Sequence, residues 1–155
     1  MSTPSQADID LCTNEANAFF DIAGYCNDLD IKAQSSQVLF ASDAFYFFPA
    51  IVNLSFAVEL YLKSLIIKAC GQYRKTHGLH QLFCQLPSVV QEDLSDRFSA
   101  QRQYPVSLSE TLEIHDKAFE MWRYAFETKN SDVEACFDNL RTAAEVLREK
   151  LQSTN

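Results

Sequence analysis

Glu59 and Lys63 stand four residues apart in a stretch that is otherwise apolar on most sides, with the acid first, the order that favours an ion pair along a helix. On an exposed face such a pair is worth under ~1 kcal/mol and says little. Inside an apolar helix both charges must find partners, so they are expected to line a cleft. Shortly downstream come Arg74, Lys75, His77 and His80. Residues 60–91 hold four bases (Lys63, Lys68, Arg74 and Lys75) and no acid, whereas residues 1–59 hold eight acids and one lysine. Residues 92–155 hold thirteen acids and eight bases. A basic island with two imidazoles could hold a phosphate or an RNA backbone, because short charge-assisted hydrogen bonds outweigh a screened net field. The competing reading is a solvated helix end, since cations near the C-terminus of a helix closing at Gly71 complement its dipole.

Other chemistries find less support. His77-Gly78-Leu79-His80 supplies two imidazoles at His-x-x-His spacing, but no cysteine or carboxylate at ligand spacing completes a metal site, so no metal is expected. Gly24, Gly71 and Gly78 lie too far apart for a Walker-type loop or G-x-G-x-x-G, which removes ATPase and dehydrogenase readings, and no cofactor is implied. There is no G-x-S-x-G elbow. Cys12, Cys26, Cys70, Cys84 and Cys136 sit mainly at apolar helical positions, where core packing is the default, and a Cys-His or Ser-His-Asp arrangement stays open. Five widely spaced cysteines without a C-x-x-C pair suggest neither a disulfide framework nor a zinc ribbon, and point to a reducing, cytoplasmic setting.

These groups must be carried by helices. The 155 residues, 17.6 kDa, are 47% hydrophobic and 22% charged, the composition of one globular domain spanning 1–155. A formal net charge of −8 repels phosphate backbones and anionic membranes as a whole, so any nucleic-acid contact must be local. The start lacks the basic and apolar segments of a secretory signal, and the uncharged run between Asp43 and Glu59 is too short to span a bilayer. No membrane association is expected.

Thr3-Pro4 reads as a helix start, with apolar spacing from Ile9 to Cys26 carrying the first helix to about Asp30. A second segment starts near Ser35 and is expected to kink or break at Pro49. From Ile51 to Ala69 the chain reads as the central buried helix, ending at Gly71 as a left-handed cap. After a polar turn, Tyr73 to Gly78, short helices fit Leu79–Leu86 and Pro87–Phe98, with Ser99 to Pro105 as a loop. Ser107-Leu108-Ser109-Glu110 has capping-box form and predicts a long helix to about Thr128. Ser131-Asp132-Val133-Glu134 repeats the box before a last helix whose stripe runs through Val133, Cys136, Phe137, Leu140, Ala144, Leu147 and Leu151. No strand alternation appears, so the expected fold is an all-α, up-and-down bundle of about five helices. That stripe, with the run Phe45 to Phe48, is more apolar surface than one bundle of this size is expected to cover, and predicts a homodimer.

Ala57-Val58-Glu59-Leu60-Tyr61-Leu62-Lys63-Ser64-Leu65, then His77-Gly78-Leu79-His80-Gln81-Leu82, then Arg123-Tyr124 resemble, in that order, motifs of the HEPN (higher eukaryote and prokaryote nucleotide-binding) family. The resemblance covers roughly residues 45–128. It implies a HEPN-like bundle, commonly dimeric, associated with nucleotides or RNA and with toxin-antitoxin or defence systems, where a nucleotidyltransferase or antitoxin is the partner. It assigns Glu59, Lys63, His77, Arg123 and Tyr124 to one ligand cleft. There Lys63, His77 and Arg123 would donate to phosphate oxygens, Glu59 would orient Lys63, and Tyr124 would stack on a base or pack beneath it. Many members are metal-independent ribonucleases with an R-x(4-6)-H pair, in which the arginine stabilises charge and the histidine moves a proton. No histidine follows Arg123 at that spacing, so the leading expectation is a non-catalytic module. Arg74 and His80 meet the spacing formally, near the turn and not in the late helix, and stand as the ribonuclease alternative. A third reading is a purely structural interaction domain, with Arg123 paired to Glu59.

Overall fold

A segment as apolar on most sides as the one after Pro49 has its stable place in the middle of a bundle. The computed structural model describes residues 4–35, 46–101, 106–116 and 136–153. Among the described residues there are six helices and no strand: α1 Gln6–Ser35, α2 Phe47–Cys70, α3 Leu79–Phe83, α4 Ser88–Gln101, α5 Leu108–Ile114 and α6 Phe137–Ser153. The all-α bundle expected from the periodicity is the fold of the chain.

Helix α2 is its axis. Ile51, Leu54, Ala57, Val58, Tyr61, Leu62, Leu65 and Ile66 are buried along it, and α1, α3 and α6 pack against it. Contacts climb α2 as they descend α1, so the two are antiparallel: Asp30 meets Phe47, and Asn17 meets Tyr61. Helices α4 and α5 close the far side against α6, and α3 bridges α2 to α5. Among the described residues α2 is the one helix long and apolar enough to cross a membrane, but 67% of its apolar window is buried inside the bundle and Glu59 and Lys63 interrupt its middle. It is a core helix.

Several boundaries differ from expectation. Pro49 neither kinks nor breaks a helix: it is the third residue of α2, where the backbone N–H that proline lacks would have had no partner. Helix α1 continues past Asp30 to Ser35, because Asp30 is buried and spends its carboxylate on the start of α2, accepting from Phe47 N–H at 3.1 Å. Tyr46, at the N-cap of α2, offers no side-chain cap, so Asp30 fills that role from the neighbouring helix. Gly71 closes α2 as expected, at φ 78° with its N–H on the Ile67 carbonyl. Helix α4 includes Ser99–Gln101, the first part of the expected Ser99–Pro105 loop, and residues 102–105 lie outside the described residues. The Ser107–Glu110 capping box is present, yet α5 stops at Ile114 instead of running on toward Thr128. The turn residues that follow have other engagements: His115 bridges the Thr111 carbonyl to Cys136 N–H, and Asp116 accepts from His80 N–H at the start of α3. The Ser131–Glu134 box, the remainder of the expected long helix and the expected second segment over residues 36–45 lie outside the described residues.

The stripe of α6 is consumed within the chain. Phe137, Leu140, Ala143, Ala144, Val146, Leu147 and Leu151 are all buried, so most of the face expected to seek a partner copy is core instead; Cys136 is exposed, and Val133 lies outside the described residues. The sequence pattern cannot distinguish an apolar stripe covered by the same chain from one covered by another.

Candidate functional site

Helix α2 carries Glu59 and Lys63 near its middle, where the segment that leads from Gly71 into α3 folds back beside them. Glu59 is 5% exposed, and its Oε1 accepts from Lys63 Nζ at 2.5 Å and meets His77 Nδ1 at 3.0 Å. A buried carboxylate without donors would be costly, and here two donors converge on one oxygen. Lys63 also lies 5.4 Å from the centre of the Tyr73 ring, a cation–π contact on its other side. With the Nδ1 edge turned to Glu59, His77 keeps Nε2 for the solvent side, and its side chain is 77% exposed. Lys63, Tyr73, Lys75, Thr76 and His77 line a cavity of about 180 Å³.

The loop that carries these groups has no regular secondary structure, and two glutamines of the α3 region hold it in place. Gln85 bonds the Arg74 backbone both ways, accepting its N–H at 2.6 Å and donating to its carbonyl at 3.1 Å. Gln81 accepts from the Thr76 hydroxyl at 2.6 Å, and that hydroxyl in turn accepts from Gly78 N–H. A Cβ at Gly78 would stand 2.9 Å from an Asp116 oxygen and force that side chain to shift. The carboxylate it would displace is the one that caps α3 through His80 N–H at 2.7 Å.

Of the residues named from the sequence, Glu59, Lys63 and His77 come together as one hydrogen-bonded group. Arg123 and Tyr124 lie outside the described residues. The carboxylate reserved for Arg123 in the structural reading is held by Lys63 and His77. The basic island divides: Lys68 reaches the Leu151 carbonyl on α6, away from the loop. Arg74 and His80, the alternative pair, do share a space, a cavity of about 410 Å³ with Lys75, Thr76, Gln81, Cys84 and Gln85 in its lining. Lys75 and Thr76 border both cavities. Sequence reasoning took Tyr73 and Thr76 as turn residues and missed their place in the site; their adjacency to His77 was the available signal.

Chemically, the smaller cavity presents two lysines and an imidazole, while Glu59 lies behind them as an orienting base and not as a wall. Such a set suits an anion. At about 180 Å³ it is smaller than the ~300–1,000 Å³ that encloses a whole small-molecule ligand, so it fits a phosphate group with the remainder outside.

Neither a curated protein nor a solved structure matches the chain. The family model described as HEPN domain matches residues 33–152, which include the whole Glu59–His77 group and all helices from α2 to α5 with nearly all of α6. The chain belongs to the HEPN domain family.

Proposed function

We propose that this protein is a non-catalytic HEPN module that binds the phosphate end of a nucleotide or RNA at the Lys63–His77 cavity, acts as a homodimer in the cytoplasm, and serves a toxin-antitoxin or defence system beside a nucleotidyltransferase or antitoxin. The observation that carries it is the use of the buried Glu59 carboxylate to hold Lys63 and His77 at the mouth of a phosphate-sized cavity that Lys75 also borders. Arg123 and Tyr124 enter the reading from the family resemblance alone.

A ligand that binds only the folded state stabilises it by mass action, about 2.7 kcal/mol at a hundred times its dissociation constant. Thermal melts with inorganic pyrophosphate, a mononucleoside triphosphate and a short RNA are therefore the direct test. The expected result is a rise in Tm that Lys63→Met and Arg123→Ala abolish and that added salt weakens. No rise with any of the three defeats the reading and favours the interaction-domain alternative.

The ribonuclease alternative keeps one supporting observation, the shared cavity of Arg74 and His80. Purified protein incubated with RNA in chelator should leave it intact. Cleavage that His80→Ala abolishes would replace the non-catalytic reading.

A further inference from the structure

Cys84 closes α3, its N–H bonded to the His80 carbonyl at 3.0 Å, and one helical turn places the two side chains on the same face. His80 Nε2 stands 3.7 Å from Cys84 Sγ and 3.0 Å from Ser109 Oγ. Both groups border the cavity of about 410 Å³ whose charged lining residues, among the described residues, are Arg74 and Lys75. The walls are fixed, since Gln85 clamps Arg74 and Asp116 holds the backbone of His80. Cys84 is exposed, whereas Cys12 and Cys26 are half-buried thiols whose ionisation burial opposes.

We propose that Cys84, with His80 as its base, is a thiol–disulfide exchange site for small anionic disulfides of the glutathione class. The thiolate is the attacking form, and an imidazole nitrogen beside the sulfur is placed to take the proton. The Cys84 proton moves to His80 Nε2, which then donates to Ser109 Oγ. The sulfur attacks one sulfur of the disulfide, the S–S bond of the reagent breaks, and a new S–S bond joins Cys84 to one half. The other half leaves as a thiolate and takes the proton from His80, so one thiol and one disulfide are consumed and one of each is formed. Arg74 and Lys75 set the preference for an acidic reagent by meeting its carboxylates. The site shares Lys75 and Thr76 with the phosphate cavity but uses neither Glu59, Lys63 nor His77, so exchange at Cys84 and phosphate binding can fail separately.

The test uses the reduced full chain and compares its own cysteines. After timed exposure to glutathione disulfide at neutral pH and an acid quench, peptide mass mapping should show the Cys84 adduct forming at least about tenfold faster than adducts at Cys70 and Cys136, the other exposed thiols. With cystamine, a cationic disulfide, that preference should largely vanish. His80→Gln should slow Cys84 alone, with Cys70 and Cys136 as references in the same sample. Equal rates at the three thiols with glutathione disulfide, an equal preference for both reagents, or an unchanged Cys84 rate in a folded His80→Gln protein would each overturn the proposal. The first two comparisons need no variant.

Discussion

His115 is 2% exposed and makes two bonds of opposite sense, donating from Nδ1 to the Thr111 carbonyl at 2.7 Å and accepting at Nε2 from Cys136 N–H at 3.2 Å. That pairing requires the neutral ring, with its proton on Nδ1. Burial pushes its pKa down, against the smaller opposite effect of the Thr111 carbonyl. A histidine depressed in the folded state binds its proton more readily when unfolded, so its stabilising contribution is complete above the unfolded value of about 6.5 and is lost as pH falls toward the folded value. The bond that protonation at Nε2 would break ties the end of α5 to the start of α6. Urea denaturation between pH 7.5 and 5 should show stability falling with pH, by up to about 1.4 kcal/mol per pH unit from this one proton. His115→Leu should be less stable at pH 7.5 yet show a shallower slope. An identical slope in the two proteins would assign the pH dependence elsewhere. Tyr61 shows the same cause acting on an acid: fully buried, with its hydroxyl on Asn17 Oδ1, it has its pKa raised to about 12 by desolvation.

Among the described residues, helix starts are completed by side chains from elsewhere in the chain as well as by their own neighbours. Ser107 and Glu110 form a local capping box for α5, but α2 begins on the carboxylate of Asp30 from α1, and α3 begins on that of Asp116. Asp30 also accepts from Gln34 Nε2 at 2.5 Å, so both of its oxygens are used although the residue is buried. A negative group at that end complements the dipole of α2 as well as accepting from its first N–H. Asp30→Ala should cost about 1–3 kcal/mol in denaturant unfolding, and Asp30→Asn less, because the amide oxygen still accepts. Equal losses for the two substitutions would mean that the charge, and not the hydrogen bond, carries the effect. A loss below about 0.5 kcal/mol for Asp30→Ala would show that the cross-helix cap does not matter.

Seen whole, the molecule has used the stripe of α6 internally and left a different apolar row outside. Leu11, Ile22 and Tyr25 are 59%, 47% and 66% exposed and fall on one face of α1, at spacings of roughly three and four turns. That face is the surface on which the dimer expectation now rests. Light scattering at about 50 μM should give twice the chain mass, since an interface of standard size holds at that concentration. Ile22→Lys with Tyr25→Glu should reduce it to the chain mass without lowering helix content. A monomeric wild-type protein at the same concentration would refute the dimer, while a dimer indifferent to both substitutions would move the interface off α1.

How much could be read in advance depended on the range of the forces involved. Helical periodicity, the Gly71 cap, the Ser107–Glu110 box and the Glu59–Lys63 pair are settled by residues within about one turn of each other, so the all-α class and half of the candidate site were legible from order alone. The third partner, His77, belonged to the basic island by sequence, but only the family motif assigned it to one cleft with Glu59, since nothing in its local spacing tells that a loop will fold back onto that carboxylate. What only the tertiary structure decided was set by contacts between distant residues. Asp30 starts α2, His115 and Asp116 end α5 early, Gln81 and Gln85 hold the loop, His80 of α3 meets Ser109 of α5, and the α6 stripe turns inward. A single hydrogen bond or buried face can outweigh the few tenths of a kcal/mol per residue by which local propensity chooses a boundary, and its partner is fixed only when the chain has packed.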